Sequence, residues 1–395
     1  MTAYLNALGL NCALGRNKAE VAASLFAGDT HGMRAEAGWV AQKSLPVAAV
    51  RGELPSLPAR LQRHDSRNNR LLFAAARQIE DDIRQAIARY GNSRIGIVIG
   101  TSTSGIDEAS RDIAGYLHTQ QFPPHYDYHQ QALPAPADFL ADWLQLSGPA
   151  YVISTACTSS AKALMSARRL LDLGICDAVL CGGVDTLCTL TLNGFSALEA
   201  LSNQRCNPFS RNRDGINIGE AAALFVMSKA PGAIALLGAG ASSDAHHISA
   251  PDPSGQGALQ AMEKALAQAR LTPGQIDYVN LHGTATAHND AMESLAVHTL
   301  FPHGVACSST KPMSGHTLGA AGALEAAFCW LTLAPYNPGS RLPPHVWDGQ
   351  PDGALPHLQL VQANDCLPVK GPRYLMSNSF AFGGNNVCLI FGDAP

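Results

Sequence analysis

Two segments of the chain share one pattern, in which an apolar strand runs through a turn of small residues into an alanine-rich helix. They are V-I-S-T-A-C-T-S-S-A-K-A-L at Val152–Leu164 and C-S-S-T-K-P-M-S-G-H-T-L-G-A-A-G-A-L at Cys307–Leu324. Each is followed by a glycine-bearing turn and a closing apolar strand, at Gly219–Met227 and Gly383–Phe391. This repetition predicts two related halves, residues 1–230 and 231–395, whose equivalent loops surround one shared cleft.

Short apolar runs alternate with amphipathic helical stretches along the chain, which is typical of an α/β protein. The predicted strands are Ile95–Gly100, Ala150–Ile153, Ala178–Cys181, Ala222–Met227, Ile276–Leu281, Val305–Ser308 and Val387–Phe391. No polar linker or low-complexity tract interrupts the sequence, so we expect the two halves to pack closely.

Composition excludes several classes of function. With 395 residues, 46% hydrophobic and 15% charged, the chain can bury a large core and is not disordered. Its formal net charge of -4 gives no overall attraction to nucleic acid. No apolar run reaches the roughly 18 residues of a membrane span, and the N-terminus lacks a basic signal segment, so we expect a cytoplasmic protein. The 10 cysteines form no C-x-x-C pair, which argues against a zinc or redox motif.

Cys157 is the candidate nucleophile. It follows an apolar strand and is predicted to open a helix, where free backbone N–H groups and the positive end of the helix dipole favour the thiolate. The small polar residues around it, such as Thr155, Thr158 and Ser159, leave the sulfur approachable. The alternative is a buried structural cysteine, which would not need small polar residues on both sides.

Two histidines lie in glycine-rich loops of the second half. His282 ends the strand Ile276–Leu281 in L-H-G-T-A-T, and His316 lies in K-P-M-S-G-H-T-L-G. A histidine at the carboxyl end of a strand faces the region where α/β proteins bind ligands. Neither histidine has the i, i+4 spacing or adjacent cysteine of a preorganised metal site, so we expect no metal. The glycine pair Gly383-Gly384 permits a close backbone approach, and amides of this turn could stabilise an oxyanion.

Together these segments resemble the elongating, Cys-His-His type of β-ketoacyl-acyl-carrier-protein synthase, in the thiolase-fold superfamily. The resemblance covers almost the full chain and rests on four blocks in order: S-T-A-C-T-S-S, H-G-T-A-T, K-P-M-S-G-H-T-L-G-A-A-G and N-S-F-A-F-G-G-N-N. It implies a thiolase-like α/β fold with two duplicated βαβαβ-type halves, layered in the order α-β-α-β-α.

The resemblance also implies a role for each matching residue. Cys157 would receive an acyl group from a carrier protein, and His282 and His316 would assist decarboxylation of a malonyl thioester, which extends the chain by two carbons. Lys311 would form an ion pair with Glu325. The remaining matches are the gating and oxyanion residue Phe382, the substrate-binding residues Thr284, Thr286 and Phe195, and the supporting residues Asp290 and Glu293.

Partners follow from the same resemblance. Substrates would arrive on the phosphopantetheine arm of an acyl carrier protein, and the enzyme would bind no cofactor of its own. A dimer is expected through the sheet edge near Ile153 and the segment after Gly100, with an identical chain or with a cysteine-lacking paralogue of chain-length-factor type. Because carrier proteins are acidic, we expect a basic docking patch on one helix face. Its residues would be Arg60, Arg63, Arg67 and Arg70, with Arg205 beside them.

Some positions depart from the family pattern. Ala287-His288-Asn289 precede Asp290 where the family usually has P-x-G, the usual G-F-G-G-T-N reads Ala381–Asn386, and the cysteine block carries Lys162. These departures concern the substrate more than the reaction. They favour a specialised pathway, such as that of a polyketide, a polyene or an aryl polyene.

Several other readings stay open. A non-catalytic chain-length-factor subunit would have lost the cysteine, whereas this chain keeps Cys157 and both histidines. A thiolase, or another thiolase-fold acyltransferase, is a second candidate, but a thiolase needs a cysteine in the C-terminal glycine turn, where Phe382 stands. An initiating synthase would pair one histidine with asparagine. A structural or binding α/β protein is the remaining class, and selective modification of Cys157 would distinguish it.

Overall fold

The computed structural model describes residues 2–368 and 371–394, which form alternating strands and helices. The β-strands are β1 (Ala3–Cys12), β2 (Met33–Ala37), β3 (Ser44–Ala48), β4 (Ile95–Gly100), β5 (Ala150–Ile153), β6 (Ala178–Asp185), β7 (Ala221–Ser228), β8 (Ile234–Ser243), β9 (Tyr278–Asn280), β10 (Ala306–Ser308), β11 (Gln359–Leu360), β12 (Tyr374–Ala381) and β13 (Asn385–Asp393). The α-helices are α1 (Lys18–Ala27), α2 (Arg67–Arg77), α3 (Glu80–Tyr90), α4 (Ile106–Thr119), α5 (Ala135–Leu144), α6 (Ser159–Asp172), α7 (Thr189–Ala197), α8 (Gln256–Ala269), α9 (Ala287–Leu300), α10 (Lys311–Ser314) and α11 (Ala321–Leu333).

A single hydrogen-bonded sheet of 11 strands runs in the order β11-β10-β9-β12-β13-β8-β1-β7-β6-β4-β5. The strands β1, β4, β5, β6 and β7 of the first half have the same spatial order as β8, β9, β10, β12 and β13 of the second. The halves join where β1 meets β8, through the pairs Ala3 with Leu236 and Tyr4 with Ala235. The shared strand order is the structural form of the repetition seen in the sequence.

The helices form three layers around the strands. Helices α6 and α11 pack on each other and on strands of both halves, so they lie in the middle. Gly322 permits this contact, because an added Cβ would lie 2.7 Å from the side chain of Ala161. Helices α2 and α5 cover the outer face of the first half, and α8 and α9 cover that of the second. The predicted α-β-α-β-α layering is therefore confirmed.

The strands that could be predicted from the sequence are mainly those that are buried on both faces. β4, β6 and β7 are buried along their whole length and read as continuous apolar runs. The predicted strands Ile95–Gly100 and Ala150–Ile153 agree with β4 and β5 to the residue, whereas β9 is shorter than predicted. Strands β8 and β12 were missed, because glycine, serine and asparagine interrupt their apolar pattern.

The prediction of one helix carrying Arg60, Arg63, Arg67 and Arg70 is wrong. The first two lie in a 3-10 helix that ends at His64, and the last two lie in α2. Ser66 separates these elements by capping α2, since its hydroxyl accepts a hydrogen bond of 3.2 Å from the backbone N–H of Asn69.

No helix in residues 2–368 and 371–394 is both long enough and apolar enough to cross a membrane.

Candidate active site

Cys157 lies in the turn between β5 and α6, two residues before the helix begins at Ser159. The predicted helix is present, but it begins two residues after Cys157 and not at Cys157 itself. Ser159 fixes the turn, because its hydroxyl donates to the carbonyl oxygen of Ala156 and accepts from the backbone N–H of Thr155 at 2.9 Å. Ala156 takes a left-handed conformation, with φ of 52°, and this reverses the chain just before the cysteine.

Cys157, His282 and His316 meet at one site. The Nε2 atom of His316 lies 2.9 Å from the Sγ atom of Cys157, and the two imidazole rings are nearly perpendicular with centroids 5.3 Å apart. One side-chain atom from each residue lies within 4.8 Å of the others. A soft metal ion could also be held at such distances, so the expected absence of a metal stays a prediction.

The loop of His316 is joined to the first half by backbone hydrogen bonds. The N–H of His316 donates to the carbonyl oxygen of Asn217 at 2.7 Å, and the N–H of Gly219 donates to the carbonyl oxygen of His316 at 3.0 Å. Gly315, with φ of 68°, permits this approach, because an added Cβ would lie 2.8 Å from the backbone of Gly219. A histidine from the second half thereby reaches a cysteine in the first.

Two buried carboxylates hold the loop of His282. Glu293 accepts the backbone N–H groups of His282 and Gly283 at 2.8 and 2.7 Å. Asp290 accepts the N–H of Ala285, in the same loop, at 3.2 Å, and the N–H of Phe209 at 2.7 Å. Burial raises the pKa of Glu293 to about 7 and that of Asp290 to about 6. Both side chains support the loop rather than face the cavity.

Lys311 and Glu325 form a buried ion pair at 2.5 Å, the pairing that the resemblance implies. Lys311 also donates to the carbonyl oxygen of His282 and lies 3.5 Å from Nδ1 of that ring. An ammonium group can only donate, so Nδ1 of His282 presents its lone pair and Nε2 of the neutral ring carries the proton. Burial and then the charge of Lys311 hold the pKa values of His282 and His316 well below 6.5, which keeps both rings neutral.

Cys157 rests as a thiol, contrary to the prediction of a favoured thiolate. Burial raises the pKa of Cys157 to about 12, and this outweighs the opposing effect of the positive charge on Lys311. A thiol in this position must lose its proton before it can act as a nucleophile. Nε2 of His316, at 2.9 Å, is placed to accept it.

A cavity of about 580 Å³ opens onto these three residues. Thr284 and Thr286 line it with hydroxyl oxygens 2.9 Å apart, and Phe195 and Phe382 line it with ring centroids 5.7 Å apart. The structure thus brings every predicted substrate-binding residue to one cavity. Phe380, near the end of β12, also lines the cavity and was missed, although it lies only two residues before the predicted Phe382.

The docking role of the five predicted arginines stays a prediction, and each of them has a local partner in the structure. Arg67 forms an ion pair with the buried Glu220. The others are surface residues with local partners. Arg60 donates to the carbonyl oxygens of Asp142 and Trp143, Arg63 pairs with Asp142, Arg70 pairs with Asp65, and Arg205 lies 3.4 Å from the hydroxyl of Thr30.

Comparison with known proteins identifies the family. The profile described as "Beta-ketoacyl synthase, N-terminal domain" matches residues 46–233, and that described as "Beta-ketoacyl synthase, C-terminal domain" matches residues 234–336. The chain belongs to the β-ketoacyl synthase family. The synthase is an acyltransferase of the class that forms carbon–carbon bonds.

Named relatives agree with this assignment. The synthase is 31% identical over 351 residues to 3-oxoacyl-[acyl-carrier-protein] synthase 2 of Staphylococcus aureus, a match that covers 81% of this chain and 82% of the relative. It is 38% identical over 269 residues to the mitochondrial 3-oxoacyl-[acyl-carrier-protein] synthase of Arabidopsis thaliana, which covers 62% of this chain and 56% of that protein. A solved ketosynthase (ApeO) from Xenorhabdus doucetiae, in complex with its chain length factor (ApeC), superimposes with a TM-score of 0.94 at 46% identity, over 100% of this chain and 98% of that chain.

Proposed function

We propose that this synthase takes an acyl group from an acyl carrier protein onto Cys157 and joins it to a malonyl unit with loss of carbon dioxide. The observation that carries the proposal is the 2.9 Å contact between Nε2 of His316 and Sγ of Cys157, with His282 beside them in the same cavity. The acyl carrier protein enters the proposal because the relatives are named 3-oxoacyl-[acyl-carrier-protein] synthases.

The first step is acyl transfer. Sγ of Cys157 attacks the carrier-bound thioester as its proton moves to Nε2 of His316, and the bond from the carbonyl carbon to the pantetheine sulfur breaks. The same proton then goes to the leaving pantetheine thiolate. His316 suits both transfers because its ring is neutral and is not committed to one tautomer: within the described residues, its Nδ1 atom has no hydrogen-bond partner.

The second step is decarboxylation and condensation. Loss of carbon dioxide from the malonyl thioester places negative charge on the thioester oxygen, which N–H groups in a buried site stabilise. Nε2–H of His282, fixed by Lys311, is one such donor, and Nε2–H of His316 is the second. The carbanion attacks the acyl carbonyl carbon, and the bond to Sγ of Cys157 breaks. The released thiolate takes up a proton from water, which restores the thiol of Cys157.

Two variants of Cys157 test this proposal. Cys157→Ala is expected to abolish condensation, and Cys157→Gln is expected to keep malonyl decarboxylation because its amide resembles an acylated cysteine. Intact mass spectrometry measures the acyl-enzyme, and release of carbon dioxide measures decarboxylation. Cys366→Ala, which changes an exposed cysteine, is the control and should retain both activities. Condensation at the normal rate by Cys157→Ala would refute the mechanism.

We propose further that the working unit is a heterodimer with a chain-length-factor paralogue, as in the complex of the X. doucetiae ketosynthase. Strand β5 ends the sheet, and Leu117 and Phe122, in the segment after Gly100, are 68% and 45% exposed. Exposed apolar side chains and an open sheet edge are both features that suit a partner chain. Leu117→Asp is expected to abolish co-purification with the paralogue. A synthase that is fully active as a homodimer would overturn the heterodimer.

The remaining features of the proposal concern substrate and setting. We infer a specialised polyene or polyketide chain as substrate, no bound cofactor, and a cytoplasmic location. The departures at His288 and Ala381 support this substrate class, because both residues line the cavity. Incubation with a panel of acyl carrier proteins, followed by intact mass measurement, would show which acyl group remains on Cys157. Retention of ordinary saturated fatty chains alone would contradict the specialised assignment.

A further inference from the structure

Lys162 connects α6, the helix that follows Cys157, to Asn385, the residue directly after the turn that carries Phe382. It lies on α6, five residues after Cys157, and its Nζ atom donates a hydrogen bond to Oδ1 of Asn385. Asn385 begins β13, directly after the turn Phe382–Gly384. Both Lys162 and Asn385 are positions where the sequence departs from the family pattern, and the structure places the two departures in contact.

Lys162 is not an ordinary solvent-exposed lysine. Its side chain is partly buried, and desolvation lowers its pKa. In the part of the chain that the structure describes, no salt bridge pairs Lys162 with a carboxylate. A partly desolvated ammonium group without a counter-ion is unfavourable unless its hydrogen bond compensates. The positive charge that acts on the thiol of Cys157 is that of Lys311, so Lys162 does not serve the nucleophile directly.

The turn itself is built from residues that can change conformation. Gly383 and Gly384 have φ of 80° and 71°, which is the left-handed region that glycine adopts without strain. Phe382 lines the cavity yet is 38% exposed. The other hydrogen bonds of the turn lead elsewhere: Gly383 N–H donates to the carbonyl oxygen of Ile248 at 2.7 Å, and Gly384 accepts from the N–H of Asp244 at 2.9 Å. Lys162 supplies a side-chain hydrogen bond from α6 to Asn385, the residue directly after the turn.

We propose that Lys162 is a positioning residue that holds the Phe382 turn closed over Cys157 through Asn385, and that breaking this hydrogen bond admits the acyl chain. The inference rests on the proposed acylation of Cys157. Opening exposes the cysteine to the carrier-bound acyl group, and closure excludes water from the acyl-cysteine thioester. The strength of one hydrogen bond therefore sets both the rate of acylation and the rate at which water hydrolyses the acyl-enzyme.

Two substitutions are expected to change these rates in opposite directions. Lys162→Met keeps the length of the side chain and removes the donor, so acylation and hydrolysis of the acyl-enzyme should each rise roughly 10-fold, the value of a charged hydrogen bond. Asn385→Asp turns the contact into an ion pair, so both rates should fall by a similar factor. Lys162→Arg keeps a charged donor and should stay close to the wild type.

The experiment follows the mass of the intact protein over time, with a carrier-bound acyl group for acylation and with the isolated acyl-enzyme for hydrolysis. Lys264→Met is the matched control, because Lys264 is an exposed lysine that donates to the carbonyl oxygen of Ala241 at 3.0 Å. Opposite changes in Lys162→Met and Asn385→Asp cannot come from a general loss of structure. Unchanged rates, or changes in the same direction, would overturn the role of Lys162. Absence of acylation in the wild type would instead refute the proposed function.

Discussion

The buried ion pair of Lys311 and Glu325 gives a direct test of how this site is held. The two side chains are almost fully buried, with 2% and 3% of their surfaces exposed, and Nζ lies 2.5 Å from Oε1. Lys311→Met or Glu325→Gln removes one charge and leaves the other without its partner. The double substitution removes both charges at nearly constant volume.

The expected magnitudes follow from burial. Removing one partner of a buried ion pair costs about 3–5 kcal/mol of unfolding free energy, because an uncompensated charge stays in the interior. The double variant is expected to lose much less, since it buries no charge. Denaturant midpoints of the wild type, both single variants and the double variant measure this coupling. If the two single losses simply add in the double variant, the pair does not act as a unit.

The double variant also tests how the histidines are kept neutral. Burial is the larger cause of the lowered pKa of His316 and remains in the double variant, but loss of the positive charge of Lys311 should still raise that pKa. A protonated His316 cannot accept the proton of Cys157. As the pH is lowered, acylation in the double variant should therefore fall at a higher pH than in the wild type. The same acid limb in both proteins would refute this account of Lys311.

Three further predictions concern the histidines, the carboxylates and the surface. In the glutamine variant of the nucleophile, His282→Ala and His316→Ala should each reduce decarboxylation roughly 10²-fold, as loss of an oxyanion donor does; a normal rate would make that histidine structural. The raised pKa of Glu293 means that the folded state binds more protons between pH 4.5 and about 7, so its contribution to stability falls as pH rises through that window. Glu293→Gln should flatten this slope in denaturant midpoints, and an unchanged slope would contradict the assignment. Arg205→Glu should raise KM for a carrier-bound substrate, more so at low salt, but not for a free pantetheine thioester. Arg270→Glu is the charge-matched control, and equal loss with both substrates would show a structural role for Arg205.

Most of the candidate site could be predicted from the sequence because its signals are local. Cys157 and His316 each lie in a strand-turn-helix segment whose small residues are contiguous, and His282 ends an apolar strand. The role of Arg67 could not be read in this way, because its partner Glu220 lies 153 residues away and contacts it only in the folded chain. The helical spacing of the arginines suggested one continuous face, but the cap at Ser66 divides it.

The protonation state of Cys157 shows why the expectation of a thiolate at a helix start was wrong. A helix start favours an anion by about 0.3–1 kcal/mol, which is less than one pKa unit, whereas full burial shifts a pKa by up to about 3–5 units. Cys157 also lies two residues outside the helix, where the dipole acts more weakly. The effect of burial on the pKa of Cys157 is therefore the larger one, and the cysteine rests as a thiol. Its reactivity depends on His316, which lies 159 residues away in sequence and in contact across the two halves. The fold, by joining the two repeated loops, supplies the activation that the helix alone does not.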